Sequence, residues 1–122
     1  MYLIHKGDDA MADKTLLSGS TTLLVLSLLS EGDKYGYEMI AELDRRSDHT
    51  FALKEGTLYP VLHGLWKEGA VEAYETEAPT GRKRKYYHLT RKGREALKTE
   101  TEEWRSYAHG VEAVLSFAPA LG

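Results

Sequence analysis

The strongest constraint on how this chain can fold is an apolar seam near its C-terminal end. Leu97, Thr101, Trp104, Ala108, Val111, Leu115 and Ala118 follow one another at steps of 4, 3, 4, 3, 4 and 3 residues. That heptad spacing predicts one long helix with a stripe along one side. Thr90 is placed to cap its start, and Pro119 follows its expected end near Phe117. At about 1.5 Å per residue such a helix is about 40 Å long. A chain of 122 residues builds one modest core. That core is too small to cover the whole stripe, so the seam predicts a second copy of the chain packed against it.

Upstream the apolar period identifies the other elements. Residues 16–30 are rich in leucine and read as a buried helix, with Gly32 suited to a left-handed cap. Asp33 is the expected N-cap of a second helix reaching about Arg46, with Tyr37, Ile40, Ala41, Leu43 and Asp44 along its stripe. Lys54 to Glu68 reads as a third helix, closed by Gly69, with Leu58, Val61, Leu62 and Leu65 turned inward. Pro60 lies beyond the first position of that helix, which is where proline is best tolerated. The period then drops to two. Val71, Ala73 and Glu75 alternate with Glu72, Tyr74 and Thr76, Pro79-Thr80-Gly81 marks a turn, and Lys85 to Leu89 forms a second alternating run. Of the adjacent Tyr86 and Tyr87, one is expected in the core and the other beside the hairpin's charges.

Three helices, a hairpin and a long helix define an α+β chain, mainly α. The expected architecture is a winged helix-turn-helix with a long C-terminal dimerisation helix. The expected organisation is an N-terminal extension at 1–15, the winged helix at 16–90 and the dimerisation helix at 91–122. Met11 is an alternative native start. The chain has no cysteine, which excludes disulfides and thiolate chemistry and fits a reducing cytoplasm. The most apolar run, Leu23 to Leu29, is seven residues, far short of the roughly 20 a membrane span needs.

Net charge is −3, yet its distribution is uneven. Between Arg82 and Arg94 lie seven basic residues (Arg82, Lys83, Arg84, Lys85, Arg91, Lys92 and Arg94) and no acidic one. Such a window gives a weakly acidic chain a basic face for phosphate. Arg91, Lys92 and Arg94 fall in the first turn of the last helix, where positive charge opposes the macrodipole. An anionic partner explains that placement; folding stability does not.

In a winged helix the third helix enters the major groove, and the hairpin lies along the backbone or minor groove. With Leu58 set inward, about 100° per residue puts Gly56, Pro60, His63 and Lys67 on the opposite side, flanked by Thr57, Tyr59 and Gly64. Thr57 and Tyr59 can donate to phosphate oxygens or reach a base edge, and His63 and Lys67 can donate to phosphate or to purine acceptors.

The run Glu55-Gly56-Thr57-Leu58-Tyr59-Pro60-Val61-Leu62, followed by Gly69, resembles the recognition-helix signature of the PadR family of transcriptional regulators. Tyr35-Gly36-Tyr37-Glu38 resembles that family's second-helix opening. Gly81-Arg82, Lys85-Tyr86-Tyr87 and Leu89-Thr90-Arg91-Lys92-Gly93 resemble its wing and the entry to its last helix. The short C-terminal part is similar to the short subfamily, which has a single dimerisation helix. The resemblance implies a homodimer on double-stranded DNA at an inverted repeat, usually acting as a repressor. The DNA-contacting set is then Tyr37, Lys54, Gly56, Thr57, Tyr59, Pro60, His63, Lys67, Arg82, Lys83, Arg84 and Lys85. The dimer and ligand set is Leu97, Trp104, Ala108, Val111 and Leu115. Trp104 matches a tryptophan that, in some short members, lines a drug-binding space at the dimer interface. That implies a small aromatic effector; elsewhere in the family the trigger is a phenolic acid, or no ligand is known. Three positions depart from the pattern. Lys54 replaces a small hydroxyl residue, Gly64 an arginine and Trp66 an acidic residue, and Trp66 borders the apolar face and is expected to pack there.

Neither a cofactor nor a metal site is expected. His5, His49, His63, His88 and His109 lie far apart without ligand spacing. No nucleophile–base pair, paired carboxylates or phosphate-cradling glycine run points to an enzyme. The alternative is a winged-helix module that binds another protein rather than DNA, and the basic window argues against it.

Overall fold

A computed structural model describes residues 20–117. The expected N-terminal extension, the alternative start at Met11, the first turn of the leucine-rich helix at 16–19 and the seam's last residue, Ala118, lie outside them. Residues 20–30 form α1, with Val25, Leu26, Leu28 and Leu29 buried. A helix apolar on most of its faces must lie inside, and this one does. It ends as Glu31 and Gly32 donate their N–H groups to the Leu28 and Leu29 carbonyls at 3.1 and 3.2 Å.

The next segment departs from the sequence expectation. Lys34–Tyr35 is a short strand, β1, and α2 spans Gly36–Arg46 with Tyr35 as its N-cap. Asp33 does not cap the helix. Its carboxylate accepts the Tyr74 hydroxyl at 2.6 Å and lies 2.7 Å from His88 Nδ1. The start of α2 is held instead by the Tyr35 N–H, which donates to Glu38 Oε1 at 3.3 Å. The buried stripe is Gly36, Met39 and Leu43, with Ile40 beside it; of the predicted set Leu43 and Ile40 pack as expected and Tyr37 and Ala41 do not. Tyr37 is 69% exposed and Ala41 is also exposed. Arg46 anchors the far end of α2, donating to both Glu31 oxygens at 2.7 and 2.8 Å.

α3 spans Glu55–Lys67 and buries Leu58, Leu62 and Leu65. Pro60 lies within it. The carbonyl left without a donor is that of Gly56; both residues are exposed, where water can satisfy it. The chain leaves α3 through Gly69, at φ +80°, as the Ala70 N–H donates to the Leu65 carbonyl at 2.8 Å.

β2 (Val71–Glu77) and β3 (Lys83–Leu89) form the expected hairpin. The sheet nonetheless has three strands, in the antiparallel order β1-β3-β2. Val71, Tyr87 and Leu89 are buried on its inner face, where they join the helical leucines in one core.

α4 spans Arg91–Ser116. Thr90 caps it as expected, with Oγ1 accepting from the Gly93 N–H at 3.1 Å. The same hydroxyl donates to the Gly69 carbonyl at 2.7 Å, and the Thr90 N–H donates to the Ala70 carbonyl at 3.1 Å. Gly93 is buried on the turn after α3, where an added Cβ would run into the Ala70 carbonyl oxygen and the Leu89 side chain. Among the described residues, Ala96 and Leu97 are the hydrophobic side chains of α4 that pack on the core, and from Glu102 to Phe117 every residue but Ala108 is exposed.

Gly93→Ala should therefore cost about 1–3 kcal/mol through overpacking. Urea unfolding measures this as a lower midpoint at unchanged slope; a midpoint equal to that of the wild type would show that the junction has room.

Candidate nucleic-acid interface

The strand period decides which way each hairpin side chain points. Lys83 and Lys85 share the inner face with buried Tyr87 and Leu89, while Arg84, Tyr86 and His88 share the outer face. As the strands run past α3 toward the hairpin tip, their side chains leave the core and border a groove. One groove, of about 500 Å³, brings Tyr37 and Tyr59 together with Arg82, Lys83, Arg84 and Lys85. A second, of about 380 Å³, lies between α3 and the sheet and is bordered by Tyr59, His63 and Lys85, with Trp66 and Tyr87. The hairpin tip turns at Gly81, at φ +85°, closed by its N–H donating to the Ala78 carbonyl at 2.8 Å.

Tyr59 borders both grooves, and its place depends on a glycine. Its hydroxyl end lies against Gly36 so closely that a Cβ there would overlap it. Gly36 thus lets the first turn of α2 and the outer side of α3 approach each other.

The remaining predicted contacts are less concentrated. Lys54, Gly56 and Lys67 are exposed and Thr57 is half-buried, but none of them borders either groove. Pro60 lies apart, with Val61, Gly64 and Thr22 in a groove toward α1. Trp66 does not pack as expected: it is 53% exposed, with its ring stacked on His63 at 5.8 Å. On α4, Leu97 packs against its own domain's core, whereas Trp104, Val111 and Leu115 are exposed and Ala108 half-buried.

Charge on the hairpin is less one-sided than the linear window suggests. In register, Glu75 lies opposite Lys85 and Glu77 opposite Lys83. Sequence reasoning missed these counter-charges because they sit outside the window, on the other strand. Even so, no ion pair within 4.0 Å forms on Arg82, Lys83, Arg84 or Lys85 among the described residues. Helix ends sharpen the point. α2 and α3 each have an acidic residue in the first turn and a basic one in the last, as the dipole favours. α4 has no acidic residue in its first turn and carries Arg91, Lys92 and Arg94 there.

The outer face of the sheet carries a polar bracket that the sequence did not reveal. The Tyr74 hydroxyl bond, together with His88, holds the Asp33 carboxyl below its ordinary value. The same bond raises Tyr74. A two-residue strand is too short to show a period, so nothing marked Asp33 as the residue tying the chain before α2 to both hairpin strands.

Among the described residues no group of three His, Asp or Glu side chains is placed to hold a metal ion. No described helix is long and apolar enough to cross a membrane.

A helix-turn-helix followed by a hairpin whose cations border the second of its two helices defines a winged-helix protein. The chain belongs to the PadR-like family of transcriptional regulators, whose family model matches residues 25–99. It is 37% identical over 94 residues to a protein of Lysinibacillus sphaericus, covering 77% of this chain and 86% of that one. It is 33% identical over 93 residues to the transcriptional regulator Rv3488 of Mycobacterium tuberculosis, covering 76% and 80%. Its fold matches a transcriptional regulator from Clostridium thermocellum at a TM-score of 0.73 and 32% identity, over 85% of this chain and 98% of that one. The chain is thus a transcriptional regulator of a non-enzymatic family.

The Asp33 bracket gives a pH dependence of stability. A carboxyl whose folded pKa is depressed contributes fully above its ordinary value of 3.8. Its contribution is lost as pH falls through the lower folded value. Asp33→Ala should therefore destabilise the protein at neutral pH, with the difference from wild type shrinking below about pH 4. Chemical denaturation at pH 7 and pH 3 checks this; a difference that stays constant would remove the carboxylate from the account.

Proposed function

We propose that this protein is a homodimeric, sequence-specific DNA-binding regulator that represses from an inverted-repeat operator. The observation that carries the reading is the groove shared by α3 and the hairpin. Four cations that form no ion pair among the described residues border it beside Tyr37 and Tyr59. In this arrangement α3 enters the major groove. Tyr59 and His63, with Gly56, Thr57 and Lys67, meet base edges and phosphates, and Arg82 to Lys85 grip the flanking backbone. Lys54 and the start of α4 add positive charge at the edge of the contact.

Pairing is supported by α4. Its stripe of Trp104, Val111 and Leu115 is exposed on the isolated chain, and a second α4 is the occupant that its heptad spacing fits. Two paired copies would set their α3 helices about 34 Å apart, one turn of DNA, or a multiple of it. A small aromatic effector would bind at that interface, beside Trp104. It regulates only as far as it binds one spacing of the α3 helices better than another.

Retention on a mixed-sequence duplex across a salt series tests the DNA reading. Six to ten phosphate contacts predict a fall of about 10³- to 10⁵-fold between about 50 and 200 mM salt. Replacing Arg82 and Arg84 together by Ala should lower the slope by about 0.9 for each contact removed. No retention at any of these salt concentrations would favour a winged-helix module for a protein partner.

The pairing reading predicts that Val111→Glu with Leu115→Glu halves the mass found by light scattering, toward the 13.7 kDa of one chain. An unchanged mass would place the dimer contact elsewhere.

A further inference from the structure

One row of rings crosses the whole sheet. Tyr35 on β1 is paired with Tyr86 on β3, which is paired with Tyr74 on β2. Directly opposed residues point to the same face, so the three rings meet. Tyr35 and Tyr86 pack edge to face at 5.4 Å, and Tyr86 and Tyr74 stack at 5.8 Å. The far end of the row is fixed, because the Tyr74 hydroxyl bonds to Asp33, which also binds His88. At the near end the Arg84 guanidinium carbon sits 4.7 Å above the centre of the Tyr35 ring. Arg84 makes no ion pair among the described residues and borders the groove shared with α3.

We propose that Tyr35 is a positioning residue for the wing: its ring holds the Arg84 guanidinium ready for a DNA phosphate, on a platform fixed by the Tyr86–Tyr74–Asp33 chain. The proposal rests on the DNA-binding reading. It adds that wing affinity is set by a residue that need not touch DNA, located before α2 and not on the hairpin. Arginine is among the side chains with most rotamer freedom to lose on binding. A ring beneath the guanidinium removes part of that freedom beforehand while leaving its donors free. A neutral ring can do this without competing for the phosphate, as a carboxylate would.

Four proteins test it: wild type, Y35L, R84A and the double variant, each titrated with a mixed-sequence duplex at several salt concentrations. Y35L should weaken binding about two- to fivefold, the range expected of an exposed cation–π contact. The double variant should bind no more weakly than R84A alone, because the ring acts through Arg84. Y35F keeps the ring and should bind like wild type. Y35M replaces Y35L if the latter fails to fold. Losses from Y35L and R84A that add in full would overturn the proposal, as would a Y35L protein that binds like wild type. A second measurement needs no DNA. Arg84 side-chain protons in the full-length protein should show upfield ring-current shifts in wild type and Y35F that vanish in Y35L. A wild type that binds no duplex but keeps those shifts would sink the functional reading, and with it the DNA role of the Tyr35–Arg84 contact, but not the contact itself. The absence of those shifts in wild type would sink this proposal alone.

Discussion

Everything that sets the hairpin beside α3 depends on β3 being the central strand. It is bonded on one side to β2 and on the other to β1, so it cannot slide without breaking both ladders. A shift of one residue would turn every side chain over. Tyr87 and Leu89 would leave the core, and Lys83 and Lys85 would trade places with Arg84. The hydrophobic burial that fixes the register thereby also fixes which cations face α3 and which face the aromatic row. Core and interface are two consequences of one alternation.

Much of this was legible in the sequence. The leucine spacing of α3, the period-two hairpin, the Thr90 cap and the long last helix all rest on local patterns that tertiary contacts reinforce. What escaped was non-local or short. β1 has two residues and thus no period. Asp33 had the right chemistry for a cap, but Tyr74 and His88, 41 and 55 residues away, claimed its carboxylate. The α2 stripe was read correctly at Ile40 and Leu43 but was widened to Tyr37 and Ala41, which face out, while Gly36 and Met39 were missed. Trp66 was expected to pack because it borders the apolar face of α3, yet at that edge it is half exposed and stacks on His63. The basic window was real as a string, but Glu75 and Glu77 stand across from it.

The two ends of the basic stretch differ in cost. On the hairpin the cations occupy exposed strand positions, where water solvates them at little cost. At the start of α4 the three basic residues each cost a few tenths of a kcal/mol against the helix dipole, roughly. The Thr90 cap contributes about 1 kcal/mol in the other direction, enough to offset much of that cost. A strong cap lets the helix begin with the charge it would otherwise avoid.

Among the described residues α4 meets the core through its first turns, at the Thr90 and Gly93 junction and at Ala96 and Leu97. Relative to that core it projects as a rod held at one end. With a free span of roughly 30 Å at about 1.5 Å per residue, a tilt of about 5° at the clamp sweeps the tip through about 3 Å. Angular precision at two small residues, a threonine hydroxyl and a glycine with no side chain, becomes positional precision at the far end of the rod.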